Sequence, residues 1–185
     1  MCNSSVRTLA AAFLLAALTA CSPRLDWREM PAADGAVQVA FPARPHSETR
    51  ELPVAGQPVP FTLTAAAAAD AVFAVGYMDL PADVAADPAQ REQYVAAMED
   101  SLARNLQADQ TQRRAVQVRH VRNPSQPPLP ADELELHGTP NGESAWMLAR
   151  ILLVENRLIE VAAVGRTESL TPDAARMFVD SLRVQ

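Results

Sequence analysis

Cysteine is nearly missing from this 185-residue chain: it has two, Cys2 and Cys21, and none further on. Everything after residue 21 therefore folds without a disulfide, a free thiol or a thiolate metal ligand. Lysine is absent altogether, and all 16 basic residues are arginine. That removes Schiff-base and lysine general-base mechanisms, which need an amine whose pKa can be lowered. The part after Cys21 holds all 22 acidic residues against 15 arginines, a net charge of −7. Bulk charge will not draw such a domain to nucleic acid or to anionic lipid. Its apolar stretch Ile151 to Val154 is far too short to span a bilayer. The three histidines, His46, His120 and His137, lack metal-ligand spacing, and no serine stands in a G-x-S-x-G elbow. Gly138 to Gly142 (GTPNG) lacks the Lys-Ser/Thr of a phosphate loop and reads as a turn. No cofactor is expected.

What is present at the N-terminus is more specific. Arg7 stands in a short polar start, Leu9 to Leu18 is apolar, and Leu18-Thr19-Ala20-Cys21 follows. The apolar run is too short for a membrane span but suits a signal peptide. Its last four residues resemble the lipobox of bacterial lipoproteins. The resemblance implies cleavage before Cys21, loss of residues 1–20, and diacylglycerol on the Cys21 sulfur. Two or more acyl chains, at about 0.8 kcal/mol per buried CH₂, give stable attachment. The implied location is the cell envelope, lipid-anchored on the periplasmic face. Ser22, standing where Asp favours inner-membrane retention, points to the outer membrane rather than the inner. Residues 21–34 are polar, carry Pro23 and Pro31, and read as a tether reaching at most about 45 Å. Trp27 within it is expected to pack back on the domain rather than sit in the bilayer interface.

Residues 35–185 suit one domain. Val37, Val39 and Phe41 alternate on one side of a strand over Ala36–Phe41 that Pro42 and Pro45 end. Thr49–Val54, Val59–Ala65 and Val72–Met78 read as three more strands, broken by Pro53, Gly56, Pro58 and Asp70. A helix follows: Asp87 is its N-cap, Pro88 its first residue, and Tyr94, Met98, Leu102 and Leu106 its core stripe. Arg114–Val121 continues as a strand, Asn123–Pro130 is a proline-rich loop, and Leu134 and Leu136 mark a short strand. Ser144–Val154 and Leu158–Gly165 form a hairpin around Glu155-Asn156-Arg157, with Asn156 as the left-handed turn residue. A last helix starts at Thr171-Pro172, with Met177, Phe178 and Leu182 facing the sheet. The fold class is α+β: an antiparallel sheet with about two packed helices.

Four stretches carry a further likeness: Val39–Pro45, Tyr77–Pro81, Glu155–Ile159 and Phe178–Leu182. In that order they resemble the opening strand, the strand entering the first helix, the central hairpin turn and the closing helix of PsbP-like domains. The likeness spans most of Gly35 to Val184. It implies a PsbP-like fold and an accessory or binding role, and it supplies no catalytic residues.

Two constellations are candidate sites. Glu133, Glu135 and His137 alternate with Leu134 and Leu136 and so share one strand face. Two carboxylates and an imidazole so placed suit a divalent cation, although the expectation is a solvated outer face over buried leucines. Arg113, Arg114, Arg119 and Arg122, with His120 among them, form a basic run suited to an acidic partner surface, a phosphate or a glycan carboxylate. The leading reading is a non-enzymatic interaction module that binds another envelope protein. The alternative is a small-ligand or metal-binding envelope protein.

Overall fold

The computed structural model describes residues 25–54 and 57–185. Cys21, and with it the lipobox, lies outside the described residues. A seven-stranded antiparallel sheet forms the centre, in the order β3-β4-β5-β9-β8-β7-β6. Its strands are β3 (His46–Val54), β4 (Gln57–Ala68), β5 (Ala71–Asp79), β6 (Ala108–Val118), β7 (Leu129–Gly138), β8 (Ala145–Val154) and β9 (Arg157–Arg166). A second sheet of three strands, β1 (Arg28–Ala32), β2 (Val37–Phe41) and β10 (Arg183–Val184), has β2 in the middle.

The helices divide between the two faces of the large sheet. On one face lies α2 (Pro88–Leu106), preceded by the single turn α1 (Ala82–Ala86). On the other lies α3 (Pro172–Asp180), beside the small sheet. Two apolar cores result. Tyr94, Met98, Leu102 and Leu106 of α2 pack on Leu134, Leu136, Met147 and Ile151. Phe178 and Val179 of α3 pack with Phe41, Phe73, Leu148 and Val161. The rings of Phe41 and Phe73 lie 5.3 and 5.4 Å from that of Phe178. Covered on both faces, β8 and β9 read as near-continuous apolar runs instead of alternating ones.

Local chemistry explains the element ends. The Asp87 carboxylate accepts from the Ala89 and Gln90 N–H groups, and Pro88 supplies a preset φ. The chain leaves α2 through Gln107 in the left-handed region. Gly138 lies against that exit, where a Cβ would come within 2.3 Å of the Leu106 carbonyl oxygen. At α3, Thr171 Oγ1 accepts from the Ala174 N–H at 3.3 Å. Thr171→Ala should lower unfolding stability by about 1 kcal/mol, read as a shifted urea midpoint. An unmoved midpoint would show that another group caps this helix.

Several sequence-based expectations change. Residues 28–32 are not tether: β1 pairs with β2, and Ala32 and Ala33 are buried. Pro31 fits because β1 is an edge strand, where a missing N–H costs no ladder bond. Trp27, by contrast, packs back on the domain as expected, edge-on against Phe73 at 5.8 Å. β6 begins at Ala108 and ends at Val118, and β7 runs ten residues. The left-handed residue of the β8–β9 turn is Glu155, while the Asn156 carbonyl accepts from the Leu80 N–H. Met177 is 54% exposed, because α3 turns Ala174, Ala175, Phe178 and Val179 inward. Arg157 ties the two sheets together. Its guanidinium sits 4.6 Å over the Tyr77 ring, pairs with Asp79, and donates to the Ala33 carbonyl at 2.7 Å.

Candidate functional site

Three neighbouring strands and one helix converge on a single carboxylate. In the registers of β6, β7 and β8, Arg114, Glu133 and Arg150 stand directly opposite one another. Their side chains project toward α3, which carries Arg176. Glu133 is only 2% exposed. Its Oε1 accepts from Arg114 Nε at 2.8 Å and from Arg176 Nη1 at 2.7 Å. Its Oε2 accepts from Arg150 Nε at 2.8 Å. Arg150 also donates to the Val179 carbonyl at 3.0 Å and pairs with Asp180, which fastens the end of α3 to the sheet.

Burial alone would push the Glu133 carboxyl up. The hydrogen bonds from Arg176, Arg150 and Arg114 outweigh it and hold the group below the usual carboxylate range. The same contact with Glu133 raises Arg176. Glu133, Glu135 and Asp180 offset Arg114, Arg150 and Arg176, so the cluster is close to neutral.

Farther along β7, Glu135 lies 3.7 Å from Arg176 and 3.2 Å from His137 Nε2. The His137 ring is stacked on Trp146 with centroids 6.1 Å apart and planes inclined by 15°. Trp146 donates its indole N–H to the Leu170 carbonyl at 3.0 Å, fixing the loop that leads into α3. A groove follows these residues. A hollow of 140 Å³ beside Arg114, Glu133 and Arg176 meets one of 190 Å³ over His137, Trp146 and Pro172, sharing Glu135 and Arg176. Thr167, which lines that second hollow, also lines an open depression of about 510 Å³ with Glu143 and Arg166.

The two expected constellations fare differently. Glu133, Glu135 and His137 do share a face over buried Leu134 and Leu136, with Glu135 and His137 partly exposed as expected, but α3 covers the Glu133 end. Three guanidinium groups occupy the Glu133 oxygens. Among the described residues no group of three His, Cys, Asp or Glu side chains is placed to hold a metal ion. The arginine run does not form one patch. The pleat of β6 sends Arg114 toward Glu133 and Arg113 to the opposite face, where it pairs with Glu99 of α2 and with Asp132. Arg119 and Arg122 lie beyond the strand end, exposed. Arg176, Trp146 and Asp180 carry no mark in the sequence that sets them apart. Arg150 does carry one: it is the single charge inside the apolar run AWMLARILLV.

The chain matches no described protein family, and no curated protein matches it. Among solved structures it is similar to the solution structure of cyanobacterial PsbP (CyanoP) from Synechocystis sp. PCC 6803. The TM-score is 0.51 at 11% identity, over 87% of this chain and 94% of that one. The domain has the PsbP-like fold. A second similar structure is the protein of unknown function PA94 from Pseudomonas aeruginosa, with TM-score 0.34 at 9% identity, over 78% of this chain and 85% of that one. In this PsbP-like domain the Glu133 groove lies on the α3 face of the sheet, between β7 and the start of α3.

Proposed function

We propose that this chain is a lipid-anchored envelope protein whose PsbP-like domain faces the periplasm and binds another envelope protein without catalysing a reaction. Anchoring rests on the lipobox-like Leu18–Cys21. Ser22 favours the outer membrane. The observation that carries the binding role is the groove itself. Its charges are locked to one another across β6, β7, β8 and α3, which gives a rigid pattern of shape and polarity. Side chains held in this way suit recognition at low entropic cost. Arg114 and Arg176 keep 60% and 39% of their side chains exposed, which leaves donors available to a partner. Glycan or phosphate recognition by the same arginines is the second reading.

In-cell photocrosslinking from position 167, an exposed groove residue, tests the reading. One discrete partner is expected there and none from position 100, exposed on α2 across the sheet. Cys21→Ala should leave an unprocessed, unacylated precursor and lose the crosslink. Acylation that persists in this variant refutes the anchor. Equal crosslinking from both positions refutes the groove.

A further inference from the structure

Strand β4 outruns the strand beside it. It pairs with β5 only over Thr62–Ala68, yet with β3 all the way to Val54 and Gln57. Arg50–Val54 and Gln57–Phe61 therefore form a two-stranded arm with no third strand beside it among the described residues. A lone two-stranded ribbon is marginal in water. This one rests on the α2 side of the molecule. Val59 and Phe61 are buried, and Leu52 and Val54 are partly buried, in the apolar cluster that contains Met78 and Met98. Phe61 seats the arm on the sheet at Gly76, where a Cβ would come within 2.2 Å of the ring. A mid-strand glycine is what that close approach requires.

The arm does not close fully on α2. Between them lies a cleft of 280 Å³, walled by Leu52, Val54, Met78, Ala97 and Met98. Arg104 is the one ionisable side chain among the described residues that line it. Arg104 is exposed in the last turn of α2 and forms no ion pair among the described residues. Two methionines in the walls matter, because an unbranched thioether adapts to occupants of different shape. The cleft therefore combines an adaptable apolar slot with one uncommitted cation. It lies across the sheet from the Glu133 groove and is independent of that reading.

We propose that this cleft binds a fatty carboxylate, a single-chain amphiphile with an anionic head. The alkyl chain lies between the arm and α2, and the carboxylate pairs with Arg104. Apolar walls select the chain. A guanidinium selects the head, since it meets a carboxylate through two parallel hydrogen bonds.

Photolabelling of the full chain with a diazirine-bearing dodecanoate tests this, with labelled residues mapped by peptide mass spectrometry. Saturable labelling is expected on the arm near Leu52 and on α2 between Ala97 and Ser101. Unlabelled dodecanoate should compete about ten-fold better than dodecanol, which has the chain without the charge. Arg104→Ala should erase that preference while labelling persists. Ala97→Phe, and separately Ser101→Phe, should fill the slot and abolish labelling; both sites are partly exposed on the helix and outside its buried stripe. Labelling scattered over the surface, equal competition by dodecanol, or undiminished labelling of both phenylalanine variants would each overturn the proposal.

Discussion

Glu160→Gln should make the domain's stability nearly flat between about pH 5 and pH 8, an interval over which the unaltered protein should lose roughly 3 kcal/mol. Glu160 lies in the middle of β9, is 7% exposed, and faces the α2 core between Gly76 and Ile151. No hydrogen bond reaches its carboxylate among the described residues. Burial pushes the group up from 4.5 to about 7. The folded chain therefore holds this proton more tightly than the unfolded chain does. Its contribution is complete below about pH 4.5, declines as pH rises, and is gone above about 7. Glu99, raised first by burial, acts in the same direction and leaves a small residual slope. Tyr77, raised first by burial and then by its bond to Asp34, lies above this window. Urea unfolding at pH 5, 6, 7 and 8 reads the effect. A flat profile for the unaltered protein would mean that the Glu160 carboxylate has a partner when charged. The glutamine adds its own unpaired amide, a cost equal at every pH, so the slope is the quantity to compare.

Glu133→Gln should cost about 3–5 kcal/mol at neutral pH, because it leaves buried arginine charge without its counter-ion. Arg150 is the side chain that suffers. It is 10% exposed, it lies in a strand covered on both faces, and only Asp180 would remain to neutralise it. Arg114→Ala should cost less than about 1 kcal/mol, since that side chain is 60% exposed and water replaces its bonds. The lowered pKa adds a second signature with the opposite sign to that of Glu160. Stability from Glu133 is present above its unfolded value near 4.5 and is lost as pH falls through its lower folded value. Acid unfolding should therefore come at higher pH in any variant that weakens the arginine cradle. A loss under about 1 kcal/mol for Glu133→Gln would show a hydrated carboxylate that does not organise the three arginines.

These two carboxylates mark where sequence reading stops. Arg150 is the one charge in β8 and Glu160 the one charge between the terminal arginines of β9, and that anomaly is visible without a structure. Glu133 carries no such mark, since in ADELELHG it sits in plain alternation with buried leucines. It is buried because α3, nearly forty residues further on, lies across β7 with Arg176 aimed at it. The separation of Arg113 from Arg114 followed from strand periodicity alone. Consecutive strand residues face opposite ways, so an arginine run that looks like one cluster in the sequence divides between two faces.

Local chemistry in the sequence determined where α2 and α3 begin, since an N-cap followed by proline acts within a few residues. It also determined the antiparallel α+β class, through strand-length apolar runs joined by short turns and helices with one apolar stripe. Tertiary structure alone decided that the two helices take opposite faces of the sheet. It also decided that residues 28–32 complete a second sheet, and that three arginines distant in sequence share the Glu133 carboxylate. The physical reason is range. Caps, turns and periodicity act between neighbours in the chain, whereas burial and charge pairing depend on which layer is stacked on which.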